Sequence, residues 1–83
     1  MSRLNKVLLK ILVGKSDNNI HFDDVCNLLL SMGFEFRIKG SHHIFRKEGI
    51  NIKINLQRDG NMAKTYQIKQ VRNMILENNL GDL

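Results

Sequence analysis

The hydrophobic pattern of this chain changes its period at Gly33, and that change restricts the folds it can adopt. Before Gly33, apolar residues recur at intervals of three and four, which is the spacing of one face of a helix. After Gly33, Phe34, Phe36 and Ile38 alternate with charged residues, which is the period of a half-buried strand. Helices and an antiparallel sheet are therefore predicted in separate parts of the chain, an α+β arrangement.

Two helices are predicted ahead of the sheet. The first covers residues 3–13, with apolar residues on one face and Gly14 as its stop. It should pack on the domain, because it has too few aromatic residues and cations for a membrane-surface helix. The second runs from about Phe22 to Met32, and two aspartates in its first turn suit the helix dipole.

Three strands and a last helix follow. The strands are predicted at residues 34–39, 42–47 and 50–56, with a tight turn at Glu48-Gly49 between the second and third. The side chains expected to face inward on the third strand are Ile50, Ile52, Ile54 and Leu56. A loop is predicted at 57–63 and a helix at 64–78, whose packing stripe is Ile68, Val71, Met74 and Ile75.

Composition indicates one small domain, residues 1–83, with a polyanionic partner. Thirteen Lys and Arg against eight Asp and Glu give a net charge of +5, which favours RNA or DNA. No apolar run approaches the roughly 18 residues of a membrane span, so a cytoplasmic protein with no membrane partner is expected. The single Cys26 is interpreted as a buried helix thiol, and no metal site or cofactor is predicted.

Two histidines beside a glycine, His42 and His43, are the candidates for acid/base chemistry. If Phe45 faces the core, His42 lies on the open face of the sheet and His43 toward the core. The reverse orientation would bury Arg46 without a partner, so the first is preferred. Both histidines could also be ordinary strand residues, and Gly40 a simple bulge. His21 is interpreted as a surface or capping residue.

The segment Gly40-Ser41-His42-His43-Ile44-Phe45 resembles the Gly-Ser-His motif of HicA-type toxins, the RNA-cleaving components of toxin–antitoxin pairs. The flanking segments 31–34, 54–57 and 66–72 extend the resemblance to residues 20–80. It implies a fold like the double-stranded-RNA-binding domain, α-β-β-β-α, to which residues 3–13 add an N-terminal helix.

The resemblance also implies cleavage of mRNA without a metal or cofactor, and inhibition by a HicB-type antitoxin. The family's catalytic histidine corresponds most directly to His42, with His43 as the second candidate. Gly40 and Ser41 correspond to the rest of the motif, where the glycine serves backbone geometry or close approach of RNA.

Cations outside the motif are candidates for binding RNA phosphates, and they fall on the sheet and on the last helix. They are Arg37, Lys39, Arg46 and Lys53 on the sheet, and Lys69 and Arg72 on the helix. The competing interpretations are a non-catalytic RNA-binding module of the same fold and an interaction domain whose charge is incidental. A helix-turn-helix DNA-binding protein is disfavoured, since neither N-terminal helix has a dense basic face.

Overall fold

A computed structural model describes residues 2–81 as helices packed on one face of an antiparallel sheet. The elements are α1 (Arg3–Val13), α2 (Phe22–Ser31), β1 (Glu35–Lys39), β2 (His42–Arg46), β3 (Ile54–Asp59), β4 (Met62–Ala63) and α3 (Thr65–Glu77). The strands lie side by side in chain order, β1-β2-β3-β4. The predicted α-β-β-β-α layout with an additional N-terminal helix is confirmed, and a short fourth strand is added to it.

Local capping explains where α1 begins and ends. The Ser2 hydroxyl accepts a hydrogen bond from the Asn5 N–H (3.1 Å) and so caps the helix N-terminus. Gly14 takes the left-handed conformation (φ 77°) at the other end, and its N–H donates to the Lys10 carbonyl. The predicted bounds of α1 are confirmed, while α2 ends at Ser31, one residue before the predicted end.

The core lies between the helices and one face of the sheet. Phe45, Ile54 and Leu56 contribute from the strands, and the predicted stripe of α3 is fully buried against them. Helix α1 contributes Val7, Leu8 and Ile11 to the same cluster. The prediction that α1 packs on the domain is therefore confirmed.

The third strand begins later than predicted. It starts at Ile54 instead of residue 50, and residues 47–53 connect β2 to β3. The Ile50 N–H donates to the Lys47 carbonyl (3.1 Å) within a turn, so it cannot join a strand ladder there. Ile52 is 42% exposed, and its predicted inward orientation is wrong. The alternation of isoleucines continues through this connection although the ladder does not.

The predicted loop at residues 57–63 is instead a second hairpin. Strand β3 continues to Asp59 and turns back into β4, with Arg58 paired to Ala63 and Asp59 to Met62. The Ala63 N–H also donates to the Ile20 carbonyl (2.9 Å), which ties β4 to the segment ahead of α2. A two-residue strand in a polar segment has too little alternation to be read from sequence.

Burial along β1 is also overestimated by the sequence pattern. Phe36 and Ile38 pair with Phe45 and His43, so they point to the predicted face. They are nevertheless 46% and 59% exposed, because β1 is an edge strand and the helices contact β3 and β4. The inward prediction is correct in direction and wrong in burial; Phe34, just before the strand, is buried.

No helix within residues 2–81 has the length and apolar character needed to cross a membrane.

Candidate functional site

The turn between β1 and β2 places the histidine pair at one end of the sheet. Gly40 has a φ of +62°, a left-handed backbone conformation that residues other than glycine rarely adopt. A Cβ added there would meet nothing within 4 Å, so the structure requires glycine for backbone geometry and not for space. Ser41 completes the turn, and His42 is the first residue of β2.

The two histidines face opposite sides of the sheet. Phe45 is fully buried while Ile44 is only half-buried, which confirms the preferred orientation of β2 and excludes its reverse. His42 is exposed on the open face, and His43 is half-buried on the helix side. Strand parity was sufficient to separate them.

A neighbouring strand orients the imidazole of His42. Its Nδ1 lies 3.0 Å from the Oδ1 of Asn55, which is on β3 opposite Ile44. An amide oxygen can only accept, so in this arrangement Nδ1 carries a proton, and in the neutral imidazole the lone pair is then on Nε2. Asn55 lies between the inward-facing Ile54 and Leu56 and so faces outward, but its contact with His42 depends on the β2–β3 register, which no local signal in the sequence specifies.

His43 is packed among aromatic rings. Its ring lies edge-on to Phe22 (centroids 5.0 Å apart) and stacks on Phe36 (6.0 Å). Its buried Nδ1 finds no hydrogen-bond partner within residues 2–81. His43 therefore fills the space between Phe22 and Phe36 on the helix side of the sheet, and it does not share the open face with His42.

Cations gather on the open face next to His42. Lys39 pairs directly with His42 across β1 and β2, and Arg37 pairs with Ile44. A shallow depression has a volume of about 270 Å³ and is lined by Glu35, Phe36, Arg37, Lys39, Ile44, Arg46 and Lys53. Four of the predicted RNA-binding residues thus lie together.

The acidic residues leave this cluster largely uncompensated. The ion pairs in the described part of the chain join Arg3 to Asp24, Arg58 to Asp23 and Arg72 to Asp17, all away from the depression. Within residues 2–81 none of the four cations forms a salt bridge. The open face therefore carries an excess of positive charge, suited to a polyanion.

The two helix cations differ from this group. Lys69 is exposed on α3, which packs on the other side of the sheet. The Arg72 guanidinium donates to the Asp17 carboxylate (2.9 Å) and the Ile11 carbonyl (3.1 Å), and only 18% of its side chain is exposed. The expectation that Arg72 contacts RNA does not fit this position, because its donors already hold the end of α1 and the following loop against α3.

The remaining reactive side chains lie outside the open face. Burial, assisted by the charge of Asp23, raises the pKa of the half-buried Cys26 thiol to about 11. His21 is exposed at the start of α2 as predicted, but its side chain forms no capping hydrogen bond. Within residues 2–81 no three His, Cys, Asp or Glu side chains come together as metal ligands.

Comparison with protein families adds to this geometry. A family model described as the HicA toxin of bacterial toxin–antitoxin systems matches residues 22–77. The chain belongs to the HicA toxin family. The matched region runs from the start of α2 to the end of α3, so it includes the Gly-Ser-His motif and leaves α1 outside. Membership in a family of toxin–antitoxin toxins implies a cognate antitoxin. Searches of curated proteins and of solved structures gave no significant match.

Proposed function

We propose that this HicA-family toxin is an endoribonuclease that cleaves mRNA in the cytoplasm, with His42 as its general base. The observation that carries the proposal is the orientation of His42 by Asn55 on a face rich in cations. The hydrogen bond to Asn55 directs the unprotonated Nε2 away from β3, where it can accept a proton from a substrate.

The reaction follows from the chemistry of RNA itself. Nε2 of His42 takes the proton of a ribose 2′-hydroxyl, and O2′ forms a bond to the adjacent phosphorus. The bond from phosphorus to O5′ breaks, and O5′ takes a proton from solvent. The products are a 2′,3′-cyclic phosphate and a 5′-hydroxyl, and the imidazolium then returns its proton to solvent. No metal is required for any of these steps.

The cations supply binding and charge stabilisation. Lys39 lies beside His42 in the sheet and is suited to stabilise the phosphorane, while Arg37, Arg46 and Lys53 bind neighbouring phosphates. Binding through the phosphates of the RNA backbone is suited to RNA, because the major groove of an A-form helix is too narrow for side chains to read its bases. One positioned base typically contributes about 10²- to 10⁴-fold in rate, so a slow enzyme is expected.

The test is RNA cleavage by matched histidine variants. His42→Ala should lose at least about 100-fold in rate, whereas His21→Ala removes an exposed histidine outside the site and should cut like the parent. His43→Phe keeps an aromatic ring between Phe22 and Phe36 and should also retain cleavage. The parent should remain active in EDTA and leave cyclic phosphate ends.

Two results would overturn this proposal. Equal cleavage by His42→Ala and the parent would remove His42 from the reaction. Intact RNA after long incubation with the parent, together with salt-sensitive binding, would identify the non-catalytic RNA-binding module instead.

We also infer that a HicB-type antitoxin neutralises the toxin by covering the open face. The uncompensated cations favour an acidic partner surface. The exposed Phe36 and Ile38 point to the helix side of the edge strand β1, so a partner that also wraps around this edge gains apolar contact. Replacing Arg46 with Glu should weaken binding of the purified antitoxin in a salt-dependent manner. Unchanged affinity would place the antitoxin elsewhere.

A further inference from the structure

A chain of hydrogen bonds links Lys64 to the motif. Lys64 lies between β4 and α3, and its Nζ donates to the Gln57 side-chain oxygen (3.2 Å). The Gln57 side-chain nitrogen in turn donates to the Ser41 hydroxyl oxygen (2.9 Å). Ser41 immediately precedes His42, so Lys64 is connected to the end of the sheet where cleavage is proposed.

Gln57 is held firmly enough to serve as this link. It pairs with His42 across β2 and β3. When the oxygen and nitrogen of the Gln67 side-chain amide are exchanged, the orientation that satisfies both atoms, the oxygen accepts from the Gln57 main-chain N–H (2.9 Å) and the nitrogen donates to the Gln57 carbonyl (3.2 Å). Gln67 is only 1% exposed and lies in the core side of α3, so the position of Gln57 is set by packed structure.

Lys64 and Ser41 both keep unused capacity to bind an anion. Within residues 2–81 Lys64 forms no salt bridge, and a neutral amide oxygen does not compensate an ammonium charge. Ser41 accepts the bond from Gln57, which leaves its own O–H free to donate. An ammonium and a hydroxyl held together by one amide are suited to the oxygens of a phosphate.

We propose that Lys64 and Ser41, linked by Gln57, form a phosphate subsite for the RNA backbone beside His42. This inference rests on the proposed function. The subsite lies at the turn end of β2, whereas Arg46 lies at the other end of that strand. The RNA backbone therefore passes along β2 with cations at both ends and His42 between them.

The test measures binding of uncut RNA, so that catalysis does not enter. A fluorescein-labelled single-stranded RNA is titrated with the His42→Ala protein in a series of salt concentrations. Lys64→Met should weaken binding several-fold and lower the slope of log affinity against log salt by about 0.7, the value for one contact to single-stranded RNA. Lys64→Gln should reproduce that change, and Lys64→Arg should keep the slope.

Lys6→Met is the matched control, because it removes one positive charge from an exposed site on α1. Its slope should equal that of the parent background. Binding by the His42→Ala protein with no loss in Lys64→Met and Lys64→Gln would overturn the subsite alone. Reduced cleavage by Lys64→Met in the parent protein, together with an unchanged salt slope of the same substitution in the His42→Ala protein, would also overturn it. Lys64 would then only support the turn. Absence of any salt-sensitive binding to the His42→Ala protein would overturn the subsite and the proposed function together.

Discussion

Removing the guanidinium of Arg72 should destabilise the fold, although the same residue looks like an RNA-binding cation in sequence. Arg72→Met keeps a long apolar stem but removes every hydrogen bond to Asp17 and to the Ile11 carbonyl. The Asp17 carboxylate, with 10% of its side chain exposed, would then lose its partner. The cost arises from this stranded charge as much as from the lost contacts.

The exposure of the pair determines the size of the effect. Breaking a fully buried ion pair costs about 3–5 kcal/mol, and an exposed pair about 0–1 kcal/mol. With 18% and 10% of the two side chains exposed, the pair is close to the buried limit, so a loss of about 2–4 kcal/mol is expected. For a domain of this size each kcal/mol lowers Tm by about 4–8 °C.

Urea unfolding followed by circular dichroism at 222 nm would measure the change. Lys69→Met is the control, since it removes the same charge from an exposed position of α3 and should cost less than about 0.5 kcal/mol. Adding Asp17→Leu to Arg72→Met removes the stranded carboxylate and should recover part of the loss. A free energy of unfolding for Arg72→Met within about 0.5 kcal/mol of the parent would refute the argument, because the pair would then behave as a surface contact.

Two further predictions concern the turn glycine and the cysteine. Gly40→Ala should destabilise by about 1–2 kcal/mol through its left-handed backbone alone, since a Cβ there meets nothing within 4 Å. Gly40→Asn should cost less, because Asn adopts the left-handed conformation more readily than Ala; equal urea midpoints for glycine and alanine would contradict this. For Cys26, burial raises the thiol pKa from 9.0 to about 11, so its stabilising contribution is complete below pH 9 and is lost as the pH rises through 11. The free energy of unfolding should therefore fall more steeply between pH 8 and 11 in the parent than in Cys26→Ala, and parallel curves would disprove it.

The helices and the sheet could be predicted because their signals are local. The apolar stripe of α3 depends only on the period of the backbone and is buried as expected. The inward side of β2 was inferred from the cost of burying Arg46, and Phe45 is buried as expected. The predictions fail where the pairing of strands decides the structure. Ile52 continues the alternation in a segment that forms no ladder, and β4 exists because β3 folds back beside it.

In the candidate site, too, the features that depend on local sequence could be predicted and those that depend on strand register could not. Parity along β2 was enough to place His42 and His43 on opposite faces. The outward parity of β1 places Lys39 opposite His42 and Arg37 opposite Ile44 on the same open face. Parity could not show that Asn55 would orient His42, since residues 13 positions apart meet only through the strand register.

The amino-acid sequence by itself determined the α+β order of elements, the location of His42 on the open face, and the basic character of the surface that would bind a partner. These properties follow from side-chain period, from the cost of burying Arg46 and from net charge, none of which needs knowledge of distant contacts. Only the tertiary structure decided that Arg72 joins Asp17, that Phe36 remains at an uncovered edge, and that Lys64 reaches the motif through Gln57. Each depends on residues far apart in the chain, whose distances are set by packing and strand register and not by local sequence.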